Sequence, residues 1–580
     1  MSLEGFINTI PDLLRHRVEL APSSTAILEK SHSQIWTGLT WRQFDQAVEH
    51  LTQQLMSAGI GRGDQVAILM PNAVQWEIVQ HAVFRLGGVI IGLDLNDPAQ
   101  RVDDIFNQCS IRALIIDGAD RLDQIPQHHI EAIDLILCRH WERNSCKGPN
   151  IKILADIQAP PMPIETPSPD GSTVATIIFT SGTTGRPKAL WYTHGQLVSA
   201  VRSITDLFAD LPDQAHTACW LPLANPFQRI INLCAIAANW RCYIVPDPTQ
   251  IMSAVKEIEP HFFAGVPRFY EKLFQAIEDG IRKRPPWQKA LPMWAVRVGK
   301  SVSAKRETKR SISWHLKWLH RIADILVLCR IRRIMGRHLK YFISGSAPLS
   351  DELIRKCLAF GWPIYEAYGI SENIAPMAMN SPGAWRLGSV GRPLGANIIR
   401  IADDGEILVK SPCVAINLKP DGNGGFLTTG DLGRIASDGY LYLQGRKNDT
   451  FKLSTGRKII PQPIEEALSL LDGVEHCVAV GHKRKQVIAL LNVPADSWRR
   501  LSDLNGGEMG ARSVLKNEAR MVCAHLPRYC RPAEVLIIND PFSPATGELT
   551  TNYKLRRHAV ISKYTSAIDR CYQQIEAERN

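Results

Sequence analysis

Between Ile177 and His194 the sequence reads IIFTSGTTGRPKALWYTH. Its residue types suit the holding of a polyphosphate. Glycines let backbone N–H groups approach an anion closely, and hydroxyls add further donors. Thr180, Ser181, Gly182, Thr183, Thr184 and Gly185 supply both, and Lys188 brings a positive charge to the end of the loop. The spacing is not that of a Walker loop, because Gly182 and Gly185 stand three apart and Ala189 follows Lys188. On composition alone the alternative is a polar surface turn, since Ser/Thr/Gly loops are common. A second cluster of basic groups, Lys554, Arg556 and Arg557, stands in NYKLRR near the other end of the chain.

The elements that must position these groups are legible around them. The β-branched run TVATIIFT reads as a buried strand ending at Thr180. After the loop, Leu197, Val198, Val201, Ile204 and Phe208 recur at helical spacing. Upstream, helical stretches such as WRQFDQAVEHLTQQLMSAG alternate with short strands such as QVAILM and ALIID, which argues for a layered α/β domain. Residues 159–172, APPMPIETPSPDGS, read as a Pro-rich connector. YFISG and IIRIADDGEILVK supply further strands. The last part reads as a separate small unit, with strands in HCVAVGH, KQVIALLNV and AEVLIIN and a helix around 514–526.

Bulk composition narrows the class. At 580 residues two or more domains are expected, and 45% hydrophobic with 21% charged residues is ordinary for a globular protein. Thirteen cysteines without a C-x-x-C pair suggest neither a zinc site nor a disulfide framework, which fits a reducing compartment. No basic leader precedes an apolar run at the N-terminus, and no apolar run has membrane-spanning length. The net charge of +10 is uneven. Residues 281–340 hold 17 Lys/Arg against Glu307 and Asp324, a local excess of +15, which leaves −5 for the remainder.

Four further stretches accompany the loop, in order: YEAYGISEN from Tyr365, TTGDLGRIASDGYLYLQGRKND from Thr428, STGRKIIPQPIEE from Ser454 and ATGELTTNYKLRRHAV from Ala545. Together with the loop they resemble the adenylate-forming (AMP-binding) superfamily over most of the chain. CWLPLANPFQRI, FFAGVPRFYEKL and NYKLRR are similar to the long-chain fatty acyl-CoA synthetase branch, and the basic stretch at 281–340 stands where that branch carries extra helices.

The resemblance implies an α/β fold: a large multi-layer N-terminal α/β domain, 1–447, and a small mobile C-terminal α+β domain, 448–580. It implies ATP, Mg²⁺ and CoA as cosubstrates. A carboxylate is a poor electrophile; attack on the α-phosphate of ATP makes an acyl-AMP, and a thiol then displaces AMP. Thr180, Ser181, Gly182, Thr183, Thr184, Gly185 and Lys188 are implied to hold the β- and γ-phosphates. Glu372, after Tyr368, Gly369 and Ser371, is implied to hold Mg²⁺, for which a carboxylate is a hard oxygen ligand. Tyr368 is implied to stack on adenine, with Gly345, Ser346 and Ala347 on its other side. Asp431 and Arg446 are implied at the ribose, Gly456 at the thioester tunnel, and Lys554 as the catalytic lysine. Without the resemblance, Glu372 reads as an exposed helix-start acid, Asp431 as a turn former and Lys554 as part of a solvated basic end. Asn448 stands at the hinge, where relatives carry Lys or Asp; Asn tolerates unusual backbone angles.

Departures bear on the acyl substrate and on the approach of the small domain, and remove no implied phosphate, ribose or metal ligand. Asn225 replaces a usual His, Ala189 a usual Gly, and SPCVAINLKP (Ser411–Pro420) lacks the glycines and tyrosine of the family's stretch. In 281–340, Ile312, Leu316, Leu319, Ala323 and Leu326 predict an amphipathic helix flanked by Trp314 and Trp318, with Arg330, Arg332, Arg333 and Arg337 following. Such a helix suits an anionic membrane surface or docking on the large domain; no nucleic-acid motif is present. The expected activity is an acid–thiol ligase for a medium- or long-chain fatty acid, in the cytoplasm and peripheral at the inner membrane face. The rivals are an acyl-AMP ligase loading an acyl carrier protein thiol, and a catalytically idle lipid-binding homologue.

Overall fold

The loop-bearing run forms the strand Val174–Ser181, which turns back antiparallel onto Pro187–Thr193 with Thr180 opposite Lys188. In this computed structural model all residues are described except 1–6, 32, 141–150, 154–167, 182–185, 309, 420–423, 544, 550–554 and 578–580. Most of the Pro-rich connector, the centre of the loop at Gly182–Gly185, Pro420 and Lys554 therefore lie outside the described residues. By its contacts the chain divides into two compact units: Met1–Ile399 with Val409–Leu427 and Ser437–Leu441, and Arg400–Leu408 with Thr428–Ala436 and Tyr442–Asn580.

The first unit holds two large sheets among the described residues. One has seven strands in the order Ile151–Ile153, Leu135–His140, Ile111–Gly118, Gln65–Leu69, Val89–Gly92, Val174–Ser181, Pro187–Thr193, parallel apart from the closing hairpin. Its central strands read as unbroken apolar runs because both faces are covered. The helix Trp41–Ser57 starts with a capping box between Thr40 and Gln43. The other sheet has nine strands and includes Phe262–Gly265, Tyr341–Ser344 and Ile364–Tyr368, mutually parallel. The helical expectation after the loop is met by His194–Thr205, which buries Leu197, Val198, Val201 and Ile204, and by a 3₁₀ turn that buries Phe208.

Two histidines sit neutral in this core. His81 and His194 are buried and meet Phe84 edge-on, with ring centroids 6.0 and 5.1 Å away. Burial is the main cause that lowers His81 to about 3 and His194 to about 4. Both depressions contribute stability above the unfolded value of 6.5 that is lost as pH falls toward the folded values. At pH 5 each is expected to have cost about 2 kcal/mol relative to pH 7 or above. Urea unfolding of His194→Leu, which removes a ring whose two nitrogens have no hydrogen-bond partner among the described residues, should lose less stability between pH 7 and pH 5 than wild type. Equal losses would contradict this.

The basic stretch differs from its sequence reading in two respects. The helix Trp314–Ala323 begins after Ile312, and a π turn follows at Asp324–Leu328. A π turn spends an extra residue per turn, so the apolar phase slips. Val327 and Leu328 are buried in place of Leu326, which is exposed, while Leu316, Leu319 and Ala323 face the core as expected. The preceding helix, Pro286–Glu307, lies so close to the helix Asp351–Phe360 that a Cβ on Gly299 would meet the Ala359 carbonyl oxygen at 2.2 Å. Docking therefore accounts for one face of this pair. Trp287, Trp314, Trp318 and Ile325 remain 60–77% exposed.

The second unit contains the three-stranded sheet His476–Val480, Ile488–Asn492, Val535–Ile538, as the apolar runs predict. The helix expected around 514–526 starts earlier, at Glu508–Val522. Nine of the twelve described cysteines are buried: Cys138, Cys219, Cys234, Cys242, Cys357 and Cys413 in the first unit, Cys477, Cys523 and Cys571 in the second. All twelve are free thiols. No described helix is long and apolar enough to cross a membrane.

Candidate active site

The strands Phe262–Gly265, Tyr341–Ser344 and Ile364–Tyr368 run parallel in register, Gly265 opposite Ser344 and Ser344 opposite Glu366. Their carboxyl ends therefore share one edge of the sheet, where open α/β sheets bind ligands. Gly345 continues the middle strand, and its N–H donates to the Gly265 carbonyl at 3.2 Å. A Cβ here would stand 3.2 Å from the Phe227 ring, so glycine keeps room for the start of the helix Pro226–Ala237. Asn225 is that helix's N-cap residue, without a side-chain capping bond. Ser346 takes a left-handed φ of 70°, and Ser346 and Ala347 are exposed. Tyr368 ends the neighbouring strand buried, and Gly369 beyond it is exposed.

Glu372 follows, half-buried, and its carbonyl accepts from Ala415 N at 3.0 Å. Tyr192, on the Lys188 strand, donates its hydroxyl to the Ser371 carbonyl. Burial first, and then the Glu372 carboxylate, push the Tyr192 hydroxyl well above its usual range. The structure thus brings the Lys188 hairpin and Glu372 together. Lys188 itself is exposed.

The sequence signals did not point to what braces this hairpin. Arg101, in the first turn of the helix Ala99–Phe106, donates to the Phe179 carbonyl at 3.2 Å, and Gln108, just past that helix, donates to the Pro187 carbonyl at 3.0 Å, so one strand of the hairpin is held by each. On the other side, Asn417 accepts from Trp191 N at 3.1 Å and donates to the Ala189 carbonyl at 2.9 Å. Asn417 lies in the stretch that departs from the family pattern, so this departure has a structural use. A side chain reaching a backbone oxygen tens of residues away leaves no periodic trace; only the polar residues themselves could have flagged it.

The second unit carries its own cluster. Asp431 is buried and lies 2.8 Å from Arg446 Nε, whose side chain is largely exposed. Thr429 Oγ1 accepts from Asp431 N at 3.1 Å, and Gly430, at φ 72°, donates its N–H to Glu406 at 2.9 Å. Next to Arg446, Lys447 lies 2.7 Å from Asp404 and 2.6 Å from Glu406. These hydrogen bonds and ion pairs hold Lys447 above its usual range. Asn448, in the following turn, is not among the residues with positive φ. Gly456 is exposed in a turn at φ 79°.

Lys554 lies outside the described residues, but the chain on either side is fixed. Leu549 and Leu555 form an antiparallel bridge, and Arg556 N donates to the Glu548 carbonyl at 2.7 Å. Arg557 is nearly buried, donates to Glu465, and reaches the Ala479 carbonyl at 2.6 Å. Arg557 is thus an internal anchor, not a free cation.

Residues 14–416 match the AMP-binding enzyme family, and residues 448–576 match the AMP-binding enzyme C-terminal domain. The long-chain-fatty-acid–CoA ligase FadD15 of Mycobacterium bovis is 24% identical over 580 residues, covering 93% of each chain. Among solved structures, the adenylation domain of the carboxylate reductase of Mycobacterium chelonae superposes with a TM-score of 0.76 at 18% identity, covering 99% of this chain and 92% of its own. The Bacillus subtilis O-succinylbenzoate coenzyme A synthetase in complex with ATP and magnesium superposes with a TM-score of 0.66 at 20% identity, covering 94% and 98%. At these identities the structural likeness shows the fold.

Proposed function

The chain belongs to the AMP-binding enzyme family, and on that premise we propose that it is an AMP-forming ligase joining a long-chain fatty acid to CoA. The observation that carries the reading is that both family matches, 14–416 and 448–576, run along one chain; the residues assigned to the site, Lys188, Glu372, Asp431, Arg446 and Lys554, are part of the proposal. The boundary we propose between its two working parts is 447/448, where the second match begins.

The fatty acid carboxylate attacks the α-phosphate of ATP, an acyl-AMP forms and pyrophosphate leaves. The CoA thiol then attacks the acyl carbon and AMP leaves. In the first step two anions approach, so the residues' work is electrostatic. Thr180, Ser181, Gly182, Thr183, Thr184, Gly185 and Lys188 take the β- and γ-phosphates. Tyr368 takes the adenine, with Gly345, Ser346 and Ala347 opposite, and Gly369 and Ser371 complete that turn. Asp431, oriented by Arg446, accepts from the ribose hydroxyls. Glu372 offers the hard oxygen donor that Mg²⁺ takes, and a bound ion would neutralise phosphate charge. Lys554 bridges the attacking carboxylate and the α-phosphate. In the second step Gly456 lines the approach of the thiol.

The test is pyrophosphate release from ATP across a panel of fatty acids, with and without CoA. Release that depends on a long-chain acid and turns over with CoA is expected. A single equivalent despite CoA would shift the acceptor to a carrier-protein thiol. No release with any acid would sink the ligase reading in favour of an idle homologue.

We also propose that 281–340 meets an anionic lipid surface. Trp314, Trp318 and Ile325 are exposed beside an excess of Lys and Arg, the pairing of apolar and cationic groups that anionic interfaces bind. Wild type should co-sediment with vesicles containing anionic lipid, less so at high salt. Trp314→Ala with Trp318→Ala should abolish this while leaving turnover of a soluble acid unchanged. Equal binding to purely zwitterionic vesicles would overturn it.

A further inference from the structure

Away from the adenylation motifs, two helices bring three metal-ligating side chains to one point. Asp103 lies on the helix Ala99–Phe106, and His128 and His129 on the short helix Gln127–Ala132. His129 Nε2 stands 2.9 Å from Asp103 Oδ1, and His128 Nε2 stands 3.6 Å from the same oxygen. All three ligand atoms fall within 4.8 Å of one another. In a tetrahedral zinc site, with bonds near 2.0–2.2 Å, ligand atoms are about 3.3–3.6 Å apart. The His128–Asp103 separation falls in that range and the His129–Asp103 separation is a few tenths of an ångström shorter.

The three groups offer a cation one carboxylate oxygen and two imidazole nitrogens. One carboxylate oxygen faces two imidazoles, but only His129 is within hydrogen-bonding distance of it. The two rings lie 4.0 Å apart at 42°, and Phe106, on the helix that carries Asp103, packs 5.0 Å from the inner ring of His129. His129 and Asp103 are mostly shielded, whereas His128 is 66% exposed and open to solvent. Two neutral nitrogens with one carboxylate leave a fourth position for water. This donor set suits zinc over magnesium or calcium, which prefer all-oxygen shells.

We propose that Asp103, His128 and His129 form a zinc site that clamps the helix Ala99–Phe106 to the helix Gln127–Ala132. The clamped helix carries Arg101 in its first turn, and Gln108 follows its end; their bonds hold the strands Val174–Ser181 and Pro187–Thr193. Zinc therefore stiffens the phosphate-type hairpin from behind. This conclusion stands on side-chain geometry and does not depend on the proposed ligase activity.

Calorimetric titration of the full-length protein with Zn²⁺ should show one equivalent bound. His128→Ala, which removes an exposed ligand, should weaken that binding at least about tenfold, as should Asp103→Asn. Undiminished binding in both variants would overturn the site, as would no binding by wild type. Co²⁺ in place of zinc should give a spectrum without a thiolate charge-transfer band; such a band would assign the ion to a cysteine instead. Saturating zinc should also slow amide hydrogen exchange across 99–106 and the 174–193 hairpin in wild type but not in His128→Ala. Binding without that protection would refute the clamp.

Discussion

Lys554→Ala should lower fatty-acid-dependent pyrophosphate release by about 10²- to 10³-fold, the cost of removing one preorganised group that meets developing charge. ATP affinity should change little, because the contacts proposed for the β- and γ-phosphates and the ribose reside elsewhere and, of the groups of ATP, Lys554 is proposed at the α-phosphate alone. The comparison with its neighbour gives the experiment its force. Arg557, three residues on, is nearly buried against Glu465 and the Ala479 carbonyl. Arg557→Ala should therefore lower the melting temperature as well as activity, whereas Lys554→Ala should leave the melting temperature where it is. A Lys554→Ala enzyme within threefold of wild type would remove the lysine from the reaction and turn attention to Arg556, which is exposed.

The largest expected effect on stability lies in the core of the first unit. Arg229 and Glu77 are both buried there and joined through amides. Gln80 donates to Glu77 at 3.0 Å and accepts from Arg229 at 2.7 Å; Asn232 donates to Glu77 at 2.6 Å; Arg229 donates to Thr176 at 2.9 Å. Burial pushes Glu77 up and lowers Arg229 to about 10, each partly offset by the other's charge. Arg229→Leu leaves the acid without its counter-charge and should cost about 3–5 kcal/mol in urea unfolding at neutral pH. Glu77 then rises further above its unfolded value, so the deficit relative to wild type should shrink as pH falls toward 4.5 and be largest above the folded pKa. The double variant Glu77→Leu/Arg229→Leu should recover part of the loss, since paired removal leaves no unmatched charge. Additive losses in the double variant would show that packing, not charge, sets the cost.

Much of the candidate site was legible because its signals are local. A β-branched run, a glycine turn and a lysine predict a strand and a loop, and Leu197, Val198, Val201 and Ile204 predict the helix after them, but the returning strand Pro187–Thr193 was not foreseen. Other features depend on residues brought together from afar. Ser346 gave no hint of its left-handed φ, because that follows from the turn at the sheet edge and not from its own preference. The phase slip at Asp324–Leu328 was invisible to a 3.6-residue count, which assumes an unbroken α-helix. Arg101, Gln108 and Asn417 act on backbone oxygens and N–H groups 78 to 228 positions away. The adjacency of His128 and His129 is plain in the sequence, but Asp103 joins them only through the packing of two helices.

The burial of nine free cysteines across both units gives the molecule a built-in clock. A thiol reagent can reach Cys234 or Cys357 only when the first unit opens, and Cys477 only when the second does. Their thiols are held in the unreactive protonated form by burial, so labelling waits on opening events. Mass spectrometry of labelled peptides can then time the two units separately in an unmodified chain. Whether ATP slows one clock, the other or both would be read directly, without an introduced probe.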